Sequence, residues 1–190
     1  MKPHISIRNL TIKYDEAKVI EDFSCNFSIG TYAIMGKSGI GKTSLIRAML
    51  GLIPYEGTID YDPEPLFSVV FQEDRLCEGI SVRKNIAMVS DIPDETIIEA
   101  LNELGLENCL NTRVSELSGG MKRRVAILRG LLANSNILIL DEPFKGLDAD
   151  NKITVMEYVK KKTSDKTVLL ITHDLSEAEF FNSEIINLIR

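Results

Sequence analysis

The sequence feature that most constrains this chain is the glycine-rich stretch at residues 36–43, which reads GKSGIGKT. It follows the apolar run 32–35 and precedes a helical pattern at 44–50, so it is predicted to join a strand to a helix. In that setting the glycines let consecutive backbone N–H groups turn onto phosphate oxygens, and the positive end of the helix attracts the same anion. Lys42 then reaches the β- and γ-phosphates, and the hydroxyl of Thr43 binds Mg²⁺. The stretch therefore predicts a nucleotide site.

Composition restricts the architecture and the partners. With 190 residues, 44% of them hydrophobic, the chain is long enough for one α/β domain that carries an inserted lobe. The net charge of −6 repels nucleic acid at long range, so no nucleic acid partner is expected. The basic stretches at 122–124 and 160–162 are accordingly predicted to be solvated faces of helices.

The cysteines and the hydrophobic runs bear on location. Cys25, Cys77 and Cys109 are odd in number, far apart and without a CxxC pair, which indicates neither a disulfide framework nor a zinc site and fits a reducing cytosol. No signal peptide pattern is present, and no apolar run approaches the ~18 residues that span a bilayer. Any membrane association is therefore expected to come through a partner.

The first third of the chain has the pattern of strands. Apolar residues alternate with polar ones over 4–29, which predicts antiparallel strands, and 58–61 and 67–71 are predicted to be further strands. Tyr14 comes just after the first apolar run and before polar residues, so its ring is expected to project from a loop, with a strand-end core position as the alternative. Gly51 is expected to end the helix that follows the glycine-rich stretch.

The remaining chain predicts a helical lobe and a buried parallel sheet. Residues 73–112 change to helical periodicity and charge, whereas 136–140 and 167–171 are continuous apolar runs typical of strands buried on both faces. Residues 148–162 are predicted to form an amphipathic helix between those strands. Its apolar face carries Ile153, Met156 and Val159. The fold class is therefore α/β, with a mostly parallel sheet, N-terminal antiparallel strands and an inserted helical lobe.

Three polar side chains follow the two buried strands. Asp141 and Glu142 end the first run, at the edge where ligands collect in open α/β sheets. Asp141 can orient Mg²⁺ from the side opposite Thr43, and Glu142 can face an attacking water, although two acids can also simply begin a loop. His173 ends the next run and could donate to a γ-phosphate.

A second anion-binding pattern stands at Ser118, Gly119 and Gly120, within the sequence LSGGM and before a predicted helix at 122–132. One domain does not need two cradles for the γ-phosphate of one nucleotide. Two chains that face each other head to tail do need them, because each chain then completes the site of the other. The pattern therefore predicts a dimer.

On these motifs the sequence resembles an ATP-binding cassette (ABC) ATPase subunit of the P-loop NTPase fold, over essentially the whole chain. The resemblance implies a single domain at 1–190, with an ATP-binding core at 1–72 and 131–190 and a helical signature subdomain at 73–130. The stretches 71–76 and 81–85 further resemble subunits of bacterial importers for sulfonate-, nitrate- or metal-type solutes.

The resemblance also implies residue roles. ATP would be bound by Tyr14, Gly36, Lys37, Ser38, Gly39, Ile40, Gly41, Lys42, Thr43, Ser44, Ser118, Gly119 and Gly120. Mg²⁺ would be held by Thr43, Gln72 and Asp141, and catalysis would involve Glu142, His173 and Gln72. Tyr14 would stack on adenine, and residues 146–148 would contact the partner subunit. Met121 and Gly146 depart mildly from the family pattern.

The implied function is ATP hydrolysis that powers solute transport, through closure of a head-to-tail dimer. The implied partners are a second ATPase subunit, an integral membrane permease and a solute-binding protein. The implied location is cytoplasmic, at the inner face of the cell membrane through the permease.

Other members of the ABC class remain as alternatives. Export stays open, because the membrane partner sets the direction of transport. A chromosome- or repair-type ATPase would need long heptad coiled coils, and a tandem translation factor would need a second phosphate loop, neither of which the sequence has. A catalytically silent subunit would be expected to lack Glu142, His173 or the glycines at 119–120, and this sequence has all of them.

Overall fold

Eight strands and six α-helices make up the part of the chain that the computed structural model describes, residues 4–15 and 17–188. The strands are β1 (His4–Tyr14), β2 (Ala17–Phe27), β3 (Gly30–Met35), β4 (Glu56–Asp62), β5 (Phe67–Val70), β6 (Ile137–Asp141), β7 (Thr167–Ile171) and β8 (Glu184–Asn187). The helices are α1 (Lys42–Met49), α2 (Val82–Ala87), α3 (Asp94–Glu103), α4 (Gly119–Leu132), α5 (Ala149–Lys162) and α6 (Leu175–Phe180), and a 3₁₀-helix spans Val114–Glu116. None of the helices in this described part is long and apolar enough to cross a membrane.

The strands form two sheets, as the sequence predicted. An antiparallel sheet has the order β2-β1-β4, and a parallel sheet has the order β5-β6-β7-β3-β8. Successive residues of β6 point to opposite sides, so that Ile137 and Ile139 join the core beneath the antiparallel sheet while Leu138 and Leu140 join the core beneath the helical lobe. Both faces of β6 are therefore buried, which explains why its sequence is a continuous apolar run. The lobe, made of α2, α3 and α4, is inserted between β5 and β6.

Helix α4 begins at Gly119, three residues before the predicted start. Ser118 caps it, because the Ser118 Oγ accepts a hydrogen bond of 3.3 Å from the Met121 N–H. The cap offsets part of the low helix propensity of the two glycines in the first turn. The helix then runs through residue 130, where the predicted boundary of the helical subdomain lies, and Ser68 of β5 donates a 2.7 Å hydrogen bond to the Gly130 carbonyl.

One expectation about β1 and one about α5 were wrong. Tyr14 is the last residue of β1, paired with Ala17, because β1 and β2 continue their pairing almost to the turn. Ile153, which the sequence pattern predicts on the apolar face of α5, is 54% exposed. The buried residues of that helix are Val155, Met156, Tyr158 and Val159. Their common direction lies roughly 140° around the helix from Ile153 at 3.6 residues per turn, so Ile153 is on the side of α5 that faces away from the core.

Candidate active site

The candidate site is a cleft of about 680 Å³ at one edge of the parallel sheet, within the range of small-molecule sites. The segments after the carboxyl ends of β3, β5, β6 and β7, four neighbouring parallel strands, meet there. The lining residues are Tyr14, Val19, Gly36, Lys37, Ser38, Gly39, Gly41, Lys42, Thr43, Ser44, Gln72, Asp141, Glu142, Lys145 and His173. The fold therefore brings together most residues that the sequence nominated, and adds Val19 and Lys145.

The glycine-rich loop is shaped by its neighbours as well as by its own sequence. Gly41, the residue before α1, has φ of 117°, and a Cβ atom there would lie 2.8 Å from Cγ1 of Val19. Only glycine fits that conformation and that contact. The Lys42 ammonium donates to the carbonyl oxygens of Gly36 at 2.7 Å and Lys37 at 3.2 Å. The loop thus holds a cation at the start of a helix, where the positive end of the helix dipole also lies.

Asp141 ends β6 as a buried carboxylate, 9% exposed. Burial, and to a lesser degree the charge of Glu142, raise its pKa, while Lys42 and Arg123 act in the opposite direction. Among the described residues, no hydrogen bond or ion pair reaches its side-chain oxygens. A buried charge without a partner is costly, so the cleft fits a cation at this carboxylate.

Glu142 is held in a defined geometry at the start of the loop that follows β6. Its φ is 44°, and its N–H donates to the Ile171 carbonyl of β7 at 2.9 Å. Lys145 Nζ lies 3.0 Å from Oε2, and Nδ1 of His173 lies 3.5 Å from Oε1. Burial alone would raise the pKa of Glu142, but the hydrogen bond and charge of Lys145, with a smaller contribution from His173, hold it below its ordinary value. Both oxygens therefore have a neighbour within the same chain.

The other nominated residues of the cleft lie at its rim. Tyr14 approaches α1, with its hydroxyl 3.3 Å from the Ser44 Oγ, and its ring is partly exposed. Gln72 follows β5 and is exposed. The side chain of His173 is 70% exposed, so packing does little to fix the imidazole.

Arg123 was missed by the sequence analysis, and its assignment to a solvated helix face was wrong. Arg123 and Arg124 are only 5% and 8% exposed, whereas residues 160–162 are exposed as predicted. The Arg123 guanidinium donates to the carbonyls of Phe71 (2.6 Å), Gln72 (3.3 Å), Asp141 (3.2 Å), Glu142 (2.9 Å) and Pro143 (2.6 Å). It also forms an ion pair of 3.2 Å with Asp74. Orphaned carbonyls at two strand ends explain why a guanidinium with five donors is buried there.

Four nominated residues are not brought to the cleft. The side chain of Ile40 is half-buried and packs against the core beneath the antiparallel sheet. Ser118, Gly119 and Gly120 lie at the start of α4; the first two are exposed, and none of the three lines the cleft. Their predicted contact with nucleotide thus has no counterpart within one chain.

Comparisons with known proteins agree with this architecture. The sequence model of the ABC transporter family matches residues 20–145. An aliphatic sulfonates import ATP-binding protein of Paraburkholderia xenovorans is 38% identical over 180 residues, which cover 92% of this chain and 72% of that protein. A taurine import ATP-binding protein of Escherichia coli O157:H7 is 33% identical, with 96% of this chain and 78% of that protein covered. The predicted resemblance to importer-type subunits is confirmed by these relatives.

A solved structure shows the same fold. A bacterial Atm1-family ABC exporter with ATP bound superposes with a TM-score of 0.88 at 25% identity. The match covers 99% of this chain but only 37% of the exporter chain. The predicted α/β fold of the P-loop NTPase class is confirmed. The chain therefore belongs to the ABC transporter family and is an ATP-binding subunit with ATPase activity.

Proposed function

We propose that this subunit powers the import of a solute, and that two copies close head to tail on ATP to drive a separate integral membrane permease. The observation that carries the proposal is the convergence of Lys42, Asp141, Glu142 and His173 on one cleft. Import is supported by the relatives, which are named as ATP-binding proteins for the uptake of sulfonates and taurine. Export is the second candidate, favoured by the similarity to the Atm1-family exporter.

ATP binding uses the glycine-rich loop. The backbone N–H groups of residues 36–43 and the Lys42 ammonium bind the phosphates, and Lys42 exchanges its two carbonyl partners for the β- and γ-phosphates. Tyr14 at the rim provides an aromatic surface for adenine. The charge that develops on the transferring phosphoryl group is stabilised by groups that are already in place.

Mg²⁺ would be held by Thr43, Gln72 and Asp141, which offer the oxygen ligands that this ion prefers. When bound, the ion would neutralise charge on the β- and γ-phosphates. Support comes from the buried Asp141 carboxylate, which lacks a protein partner among the described residues. Gln72 precedes the helical lobe, so a change in the position of Gln72 when the site is occupied would be transmitted to the lobe.

The proposed division of the chain is an ATP-binding core at 1–72 and 131–190 and a signature subdomain at 73–130.

Hydrolysis uses Glu142 as general base for the attacking water. The carboxylate is ionised over the neutral range, because its pKa is lowered, and each of its oxygens keeps a lone pair that can accept the proton beside Lys145 or His173. The exposed imidazole of His173 can remain near Glu142 and donate to the γ-phosphate.

The dimer is supported by the position of Ser118, Gly119 and Gly120. These residues are at the start of α4 and outside the cleft of their own chain, while the cleft is open to solvent. In a head-to-tail pair, the start of α4 from one subunit would cover the γ-phosphate in the other.

The proposed transporter has further parts. A solute-binding protein would deliver the solute to the permease, and the ATPase would lie at the inner face of the cell membrane.

The test uses Glu142→Gln in the full-length protein with ATP and Mg²⁺. We expect this variant to bind ATP, to hydrolyse it about 10²–10⁴-fold more slowly, and to form a dimer in light scattering. The exposed Glu157 on α5 gives the matched control, Glu157→Gln, which should hydrolyse ATP as the unaltered protein does. Only monomer at protein and ATP concentrations far above the nucleotide dissociation constant would contradict the dimer.

A second substitution tests the face that closes the dimer. In the Glu142→Gln background, Ser118→Arg should abolish the dimer and leave ATP binding by the monomer intact, because Ser118 is exposed and away from the cleft. Ser164→Arg places the same side chain at another exposed serine, just before β7 at the opposite edge of the sheet, and should leave the dimer unchanged. A stable dimer of the Ser118→Arg variant would refute the head-to-tail arrangement.

A further inference from the structure

Behind the cleft lies a group of four side chains that we call the Lys152 cluster: Lys152, Thr172, Asp174 and Glu177. Nζ of Lys152 is 2.8 Å from Oδ2 of Asp174 and 2.6 Å from Oε1 of Glu177. The Thr172 hydroxyl donates to the other oxygen of Glu177 at 2.5 Å and accepts the Asp174 N–H at 3.0 Å. The cluster thus joins the first turn of α5, the loop after β7 and the first turn of α6.

Two residues of the cluster flank His173 in the sequence, but the side chain of His173 is not part of the cluster. His173 stands between Thr172 and Asp174, yet its own side chain is largely exposed, with Oε1 of Glu142 as its near neighbour at 3.5 Å. An imidazole that is not packed must take its position from the backbone on either side. Both flanking residues are fixed by the cluster, and Thr172 and Glu177 are buried.

The ammonium of Lys152 is essential to this arrangement because the cluster has two carboxylates and one cation. Burial acts to lower the pKa of Lys152, but its hydrogen bonds and ion pairs with Asp174 and Glu177 outweigh it and raise the pKa, so the side chain stays charged at neutral pH. Without the cation, the buried carboxylate of Glu177 would face that of Asp174 unpaired. Repulsion and desolvation would then favour movement of the loop 172–174 toward solvent.

We propose that Lys152 is a positioning residue for ATP hydrolysis, whose ion pairs with Asp174 and Glu177 hold the loop 172–174 so that His173 stays beside Glu142. This inference rests on the proposed roles of His173 and Glu142. Among the described residues that line the ATP cleft, none belongs to the Lys152 cluster. Loss of Lys152 is therefore expected to affect the chemical step and to leave ATP affinity nearly unchanged.

The first experiment compares three variants by steady-state ATPase kinetics. Lys152→Met should lower kcat about tenfold or more, since a displaced catalytic group is costly, while the KM for ATP stays within about twofold. Lys152→Arg, which can bind two carboxylates, should recover most of the rate. Lys161→Met removes another ion-paired lysine of α5, one that contacts Glu103 at the surface, and should leave kcat unchanged. Wild-type kcat in a folded Lys152→Met variant would overturn the inference.

A double-mutant cycle separates positioning from a general structural role. If Lys152 acts through His173, then Lys152→Met should cause no further loss of kcat in a His173→Ala background. An equal loss in both backgrounds would overturn the inference, while His173→Ala would still support the proposed function by lowering kcat. Unchanged kcat in His173→Ala would instead contradict the proposed role of His173 and the inference with it.

If Lys152→Met unfolds, the inference can be tested by a measurement that does not depend on ATP hydrolysis. Lys152→Met/Glu177→Gln removes the charge of the half-buried Lys152 and that of the buried Glu177 at similar volume, and thermal unfolding identifies which variants are folded. The chain has two histidines, so the NMR signals of the His173 ring can be assigned by comparison with His173→Ala. We expect these signals to shift at constant pH in the folded Lys152 variants and to stay in place in Lys161→Met. Unshifted His173 signals in every Lys152 variant that folds would refute the positioning role.

Discussion

At the residue scale, Lys42 is the side chain that we propose for the direct contact with the phosphates of ATP. Its ammonium has two carbonyl partners at the floor of the cleft and needs only to change partners when phosphate arrives. We expect Lys42→Ala to weaken ATP binding about 10–100-fold, since hydrogen bonds to charged groups are worth roughly 1.5–3 kcal/mol, and to abolish measurable hydrolysis. Titration calorimetry and phosphate release would measure both effects, with Lys161→Ala as the control. Normal turnover by the purified variant would contradict the site assignment.

Asp174 gives a prediction about pH and stability. Hydrogen bonds from Lys152 and Ser176 outweigh burial and lower the pKa of this carboxyl to about 2. Because the folded pKa lies below the unfolded value of about 3.9, the stabilisation is present above that value and is lost as the pH falls toward the folded pKa. The free energy of unfolding should therefore differ between the natural protein and Asp174→Asn at pH 6 and differ less at pH 3. Urea unfolding at both pH values would test this, and a gap that does not change with pH would contradict it.

The residues whose roles the sequence could predict differ from the others in how far along the chain their partners lie. The phosphate loop, the acids after β6 and the histidine after β7 carry their own local signals, because spacing and strand ends place them. Arg123 looks like one member of a basic helix face, and only its partners at 71, 72 and 141–143 show that it is buried. Lys145 and Lys152 are likewise defined by carboxylates that the fold brings to them. No local pattern carries that information.

At the scale of elements, α4 connects the lobe to the two strands that end at the cleft. Arg123 on α4 holds the ends of β5 and β6 through backbone carbonyls and holds Asp74 by an ion pair. The sequence predicted the helix and its terminal glycines, but its start depended on the Ser118 cap and its buried face on these long-range contacts. Arg123, together with the hydrogen bond from Ser68 to the Gly130 carbonyl, thus ties α4 to the strands that end at the cleft.

The matching prediction concerns stability. We expect Arg123→Met to lower the free energy of unfolding by about 3–5 kcal/mol, because it leaves buried carbonyls and Asp74 without their donor. Lys122→Met is the control from the neighbouring position, where the partner Glu78 is exposed, and it should cost about 0–1 kcal/mol. Urea unfolding of both variants would measure the difference. Equal losses would mean that the Arg123 network contributes no more than a surface ion pair.

At the scale of the whole molecule, Gln72 lies between the ATP cleft and a second groove. The groove, of about 150 Å³, also contains Arg47, Phe71, Glu73 and Arg75. The guanidinium of Arg75 stacks 3.6 Å from the centre of the Phe71 ring. A residue that lines both spaces can transmit the occupancy of one to the other if the lobe rotates about it. We propose this groove, with the loop 73–79 beside it, as the docking place of the permease.

Cys77 makes that proposal testable in the natural sequence. It is exposed in the loop before α2, whereas Cys25 is partly buried and Cys109 is buried, and burial raises the pKa of both of these thiols. Because the thiolate is the reactive form, maleimide should label Cys77 first in the isolated subunit, and Cys77→Ser should remove that rapid phase. In a purified complex with the permease, labelling of Cys77 should fall while the slow labelling of Cys25 stays the same. Undiminished labelling of Cys77 in a complex shown to be intact would rule out docking over this loop.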